Sequence, residues 1–287
     1  MSASPDWLEH GYPYTPYGGL PPSPGELLQR WNLDPLLISA LVLALVVYAV
    51  GAEPRGPGAI ARGRRLCFYG GWGVGALALI SPLCALSVSL FSARDAQHML
   101  LAMVVAPLVA IGRPGVALAR GHRRRLGRTR ERARTSTRQP ILASIAFATA
   151  LWVWHAPMAY AATFESSLAY WTMQLTSFAA ALWLWTALMG KAEERPAGFV
   201  AASVLTAIQM NLLAAVITLS GQLIYLPHVV TAAAWGLTPL QDQQLGGLVM
   251  WVPAGLALVA ALIVSFARAT RRVGARPPGL DPSTRPV

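Results

Sequence analysis

Charge is the first thing this 287-residue sequence lacks: Asp, Glu, Lys and Arg make up only 12% of it. Soluble domains carry about 25%. With 55% hydrophobic residues and a mean hydropathy of +0.47, the chain cannot hide its apolar surface from water, and lipid is the expected solvent. Cysteine is nearly absent. Cys67 and Cys84 are expected near opposite ends of one helix, about 25 Å apart, which excludes a bridge between them. No CxxC or Cys/His zinc spacing occurs. Residues 1–32 have no basic start and no apolar centre, so no cleavable signal peptide is expected there.

Sequence signatures of catalysis are missing too. There is no GxSxG, Walker or HExxH motif, no lysine in the last apolar run for a retinal Schiff base, and no paired aspartates or Ser/His pair within the apolar runs. The chain is not expected to be an enzyme. The alternating pattern of a membrane barrel is also missing.

What is present is a series of apolar runs, at roughly 35–50, 67–88, 96–112, 140–160, 168–189, 198–220 and 244–267. Backbone groups in lipid must be satisfied internally, so each run is read as a helix. The expected fold is all-α: a polytopic bundle of about seven transmembrane helices over 33–267. A Pro/Gly/Tyr-rich extended leader (1–32) precedes it, and a basic tail (268–287) follows it. Gly71 and Gly75 form a GxxxG, read as a close helix contact. Pro107, Pro157 and Pro253 lie within or near the ends of runs, where proline bends helices.

The net charge of +11 invites a nucleic-acid reading, but its distribution argues against one. Of 23 basic residues, 21 fall in alternate connections: Arg55 to Arg65, Arg113 to Arg138, Lys191 with Arg195, and the C-terminal tail. The other set holds only Arg30 and Arg94. By the positive-inside rule the rich side is the cytoplasm, which puts the N-terminus outside and the C-terminus inside a bacterial inner membrane. The arginine loop is read as a topology determinant that touches anionic headgroups.

This topology sorts the ionisable residues. His98 opens the third run and His155 lies near the end of the fourth, so both are expected at similar depth in the outer leaflet. Ionisable groups there are costly unless partnered, which makes them site candidates. Asp95 is three residues from His98 and shares its helix face; its carboxylate is placed to orient the imidazole. Met158 is three from His155 if the helix continues past Pro157. Met99 adds a thioether in the same leaflet. Asp242 precedes the last run, followed by Gln243 and Gln244. Imidazole with thioether is a copper-type donor set. A neutral imidazole is needed for ligation, so occupancy should fall as pH drops through about 6.5. A haem between His98 and His155 is conceivable on the same geometry.

The stretch Gln97-His98-Met99-Leu100-Leu101, running on to Ala106-Pro107 and Gly112-Arg113-Pro114, resembles the CtaG family of cytochrome c oxidase assembly proteins. So do Trp154-His155-Ala156-Pro157, and Asp242-Gln243-Gln244-Leu245-Gly246-Gly247 with Met250-Trp251-Val252-Pro253. The likeness covers roughly residues 31–267. It implies a multi-span protein needed to form active haem-copper oxidases, partnering their subunits within the bilayer. Copper delivery is the role usually suggested. On that reading His98, His155, Met158 and Met99 are metal ligands, and Asp95, Gln97, Asp242, Gln243 and Gln244 support them. The chain departs from the family pattern at Arg94 and Asp95, where a histidine and a methionine are common, and it has no histidine near Leu175. Two rivals are a membrane transporter for copper or another small solute, and a metal-free chaperone for oxidase subunits.

Overall fold

The structure, a computed structural model, describes residues 15–16, 20–52, 59–119, 138–189 and 196–252, with 255–256 and 263. Among the described residues it is all helical, with no strand. The main helices are α1 (Pro35–Gly51), α2 (Arg62–Ile80), α3 (Pro82–Ser89), α4 (Phe91–Ile111), α5 (Gln139–His155), α6 (Pro157–Glu165), α7 (Ser167–Met189), α8 (Pro196–Leu219) and α9 (239–252), with shorter helical turns between them. The basic tail and most of the arginine loop lie outside the described residues, as do Pro253, His10 and His122.

Local chemistry explains where these helices start and stop. Asp34 caps α1 by accepting from the Leu36 N–H (2.8 Å), with Pro35 at the first helical position, where its missing N–H costs nothing. Two of the expected spans are broken. The run 67–88 divides at Ser81-Pro82 with a 51° bend. Cys67 and Cys84 therefore sit on two helices, not on one; both are free thiols. The run 140–160 divides at Ala156-Pro157 with a 70° bend. In each case proline forces its predecessor out of the helical region, and Ser81 and Ala156 are extended. Pro107 is absorbed differently. A π turn over Leu101–Val105 lies just before it, the wider ring that relieves a strained hydrogen-bond ladder. Trp185 donates to the Ala102 carbonyl inside this turn (2.8 Å).

Glycines set the closest approaches. At Gly71 a side chain would collide with Leu108, and at Gly75 it would crowd Val105. The GxxxG thus presses α2 onto α4, as a small-residue interface does. At Gly246 a side chain would strike the Phe91 ring, and at Gly247 it would strike Thr218. These two bring α9 against the start of α4 and against α8. Phe91, Phe147, Leu151, Leu184, Met210 and Met250 belong to the larger core cluster. A second cluster joins α1, α2 and α4, with Tyr48 stacked on Phe68 (ring centroids 3.4 Å apart) and the Tyr48 hydroxyl donating to the Gly112 carbonyl (2.9 Å).

The leader is anchored at its described end. Asn32 donates to the Leu79 carbonyl (3.2 Å) and to the Cys84 sulfur (3.6 Å), and Ser89 donates to the Pro22 carbonyl (3.2 Å).

Leu36, Leu43 and Val46 of α1 and Ile208, Leu212 and Leu219 of α8 are exposed, a surface suited to lipid. By length and composition α4 (Phe91–Ile111) and the Gly198–Leu219 part of α8 can each cross a membrane. Counting each bent pair as one broken span raises the number to four among the described residues. α7 has 23 residues, but Thr172, Gln174, Thr176 and Ser177 dilute its first half.

Candidate functional site

Three helices enclose the site. His98, Met99, Leu101 and Ala102 of α4, Phe147, Leu151, Trp154 and His155 of α5, and Gln174, Ser177 and Phe178 of α7 line one cavity of about 30 Å³. A water needs roughly 10–15 Å³, so one or two waters or one metal ion fit. The two histidines thus meet in one cavity, brought there from opposite ends of the runs that carry them.

Their states differ. His155 is buried and engaged on both sides. Its Nδ1–H donates to the Leu151 carbonyl (2.7 Å), and its Nε2 lies 3.2 Å from Asp95 Oδ1. A carbonyl only accepts, so the Nδ1 proton is assigned. One further proton must then sit between Nε2 and the carboxylate. Asp95 therefore orients His155, across the helix pair, rather than its own-helix neighbour His98. His98 Nε2 is buried without a hydrogen-bond partner among the described residues, and so is Asp95 Oδ2. Two orphaned polar atoms on one helical turn beside a cavity need an explanation, and an ion or water is the ordinary one.

Arg94 packs beside this turn. Its guanidinium carbon lies 4.4 Å from the Phe164 ring centre, 4.7 Å from Tyr160 and 5.8 Å from Tyr170, as a cation held on aromatic faces does. Nη2 donates to Thr163 Oγ1 and to the Met173 sulfur (3.5 Å). Its Nε has no partner among the described residues.

A second polar layer braces the site. Asp242 reaches from α9 to the start of α4, accepting from the Phe91 N–H (2.7 Å), the Ser92 N–H (3.1 Å) and the Ser92 hydroxyl. Gln243 Oε1 accepts from the Ile224 N–H (2.7 Å), and its Nε2 donates to the Gln222 carbonyl (3.1 Å). Gln244 donates to the Ser220 carbonyl (3.3 Å). The loop they hold carries Tyr225, whose hydroxyl donates to the His155 carbonyl (2.9 Å), and His228, whose Nε2 pairs with the Tyr160 hydroxyl (2.6 Å). Burial, with the Arg94 charge adding to it, pushes the His228 imidazole down to about 3, so this ring is neutral.

A family model described as cytochrome c oxidase caa3 assembly factor (Caa3_CtaG) matches residues 43–272, well over half of the chain. The chain belongs to this family. Comparison with curated proteins and with solved structures finds no match. The members of this family are oxidase assembly factors, so the cavity sits in a protein whose task is to mature another one.

The expected site residues divide in the folded protein. His98, Met99 and His155 line the cavity, and Asp95 adjoins it. Met158 does not: the bend at Pro157 carries it off the His155 face, and it is 88% exposed. Gln97 turns to α2, where it donates to the Ala78 carbonyl (2.7 Å). Asp242, Gln243 and Gln244 spend their polar atoms on backbone and on Ser92. Among the described residues no three His, Cys, Asp or Glu side chains converge as a metal cluster. Gln174 and Ser177 line the cavity without having been singled out; a lone glutamine inside an apolar run was the available signal.

Proposed function

We propose that this assembly factor works from the outer face of the inner membrane, holding copper in the α4–α5–α7 cavity and passing it to an oxidase subunit. It does so as a seven-span protein, N-terminus outside, without enzymatic turnover. One observation carries the copper reading. His98 Nε2 and Asp95 Oδ2 are buried, without a partner among the described residues, and one helical turn apart beside a cavity of ion size. The thioether of Met99 and the imidazole of His155 complete a mixed donor set suited to copper. His155 joins only if it lets go of Asp95, so His98 is the primary ligand. The metal-free reading draws on the same residues, because His155 is satisfied as it stands.

Copper content after anaerobic loading and desalting separates the two. The wild type should retain close to stoichiometric copper, and His98→Ala combined with His155→Ala should retain almost none. Met158→Ala should match the wild type. A copper-free wild type would leave the metal-free chaperone as the surviving function.

Orientation has its own measurement. In a background without Cys67 and Cys84, Glu165→Cys and Val230→Cys should react with an impermeant thiol reagent in intact cells, since both positions are exposed. Gly127→Cys, in the arginine loop, should react only after lysis. The reverse pattern would invert the protein in the membrane.

A further inference from the structure

Among the described residues the buried side chains with a formal charge are Arg94, Asp95 and Asp242, accompanied by the buried histidines His155 and His228. All lie at one end of the bundle. Arg94 and Asp95 begin the turn that carries His98, and Asp242 is bonded to Phe91 and Ser92 on the same helix. When an ion displaces the proton held between Asp95 and His155, as ligation through His155 requires, Arg94, Asp95 and Asp242 together leave this region one net negative charge. A buried net charge in a poorly polarisable surrounding is costly, and the cost is removed by one added positive charge. A second positive charge would restore the imbalance with the opposite sign.

Arg94 is what makes the count come to one. Its guanidinium cannot be titrated away under any ordinary condition. It is 3% exposed and gripped by three rings, a threonine hydroxyl and a methionine sulfur, so it cannot swing out to water. No carboxylate pairs with it among the described residues. Its charge therefore acts on whatever ion sits beside His98, four residues along the same helix face. A divalent ion feels that repulsion at twice the strength a monovalent one does. Donor number points the same way. The donors that line the cavity, the imidazoles of His98 and His155 and the thioether of Met99, suit an ion content with two or three donors.

We propose that Arg94 sets the charge class of the cargo, so that the cavity accepts a soft monovalent cation, Cu(I), and turns away divalent ions. This rests on the copper reading above. Ag(I) and Cd(II) test it cleanly, because the two have the same number of electrons and both bind soft donors, yet differ by one unit of charge. Binding would be measured on the full-length protein in detergent by equilibrium dialysis, with Cu(I) competition showing that Ag(I) occupies the same place. The wild type should bind Ag(I) and take Cd(II) poorly. Arg94→Gln should improve Cd(II) relative to Ag(I) by about tenfold or more, whereas Arg94→Lys, which keeps the charge, should hold the wild-type ratio. Equal shifts of both ions in Arg94→Gln would overturn the proposal and leave the copper site standing. So would a wild type that takes Cd(II) as readily as Ag(I), a comparison that needs no variant to fold. A wild type that binds neither Ag(I) nor Cu(I) removes the copper reading and this inference together.

Discussion

Cells that lose this chain should lose most of their haem-copper oxidase activity while keeping quinol–cytochrome c reductase activity close to normal. The family match fits a protein acting on oxidase maturation. The loss should exceed any loss of oxidase polypeptide, because an unmetallated oxidase can persist without turning over. If the cavity handles copper, the residual oxidase should keep its haem absorption and be short of copper, and excess copper in the medium should restore part of the activity. A metal-free chaperone would instead lower the oxidase polypeptides themselves, and copper would rescue nothing. Unchanged oxidase activity in the deletion strain under copper limitation would remove the assembly role from this chain.

The amount of this arrangement legible beforehand varied with the physics behind each feature. Apolar runs announce helices, and the start of α1 and the extent of α7 follow closely from Asp34-Pro35 and from the length of the run. The α2–α4 contact follows from Gly71 and Gly75, because only a missing side chain permits that approach. The two bends were half visible. Pro82 and Pro157 mark possible breaks, yet their size of 51° and 70° depends on what the continuing chain packs against. Met158 leaves the His155 face for this reason: spacing by three residues means a shared face only in an unbroken helix. By the same rule the spacing pairs Asp95 with His98. The structure gives it to His155, 60 residues away and at matching depth, a choice that only helix packing makes. Gln174 escaped because a single amide carries no pattern. Asp242, Gln243 and Gln244 are legible as supporting residues, but the atoms they satisfy are not, because those atoms are mostly backbone and backbone needs leave no trace in residue types.

Asp242→Ala should destabilise the protein by roughly 3–5 kcal/mol, the largest single-residue effect expected here. The reason lies at the start of α4. Its N-cap position is Leu90, which has no side-chain oxygen to receive the first helical N–H groups. Asp242 supplies that acceptor from α9, taking the Phe91 and Ser92 N–H groups and the Ser92 hydroxyl. Its negative charge also faces the positive end of the helix dipole. The residue is fully buried, so in the alanine variant water cannot replace it, and each abandoned donor costs about 1–3 kcal/mol. Ser92→Ala removes one of the three bonds along with its donor and should cost only about 1 kcal/mol. Asp242→Asn keeps one acceptor oxygen but turns an NH₂ toward groups that also donate, and should fall between the two. Thermal unfolding in detergent would order the three, with Asp242→Ala lowering the midpoint by roughly 10 °C. The site should suffer through the fold. The first turn of α4 leads straight into Asp95, so loosening it detaches the carboxylate from His155 before any copper donor is touched. An Asp242→Ala protein with an unchanged unfolding midpoint but abolished copper binding would reverse this assignment and make Asp242 a ligand.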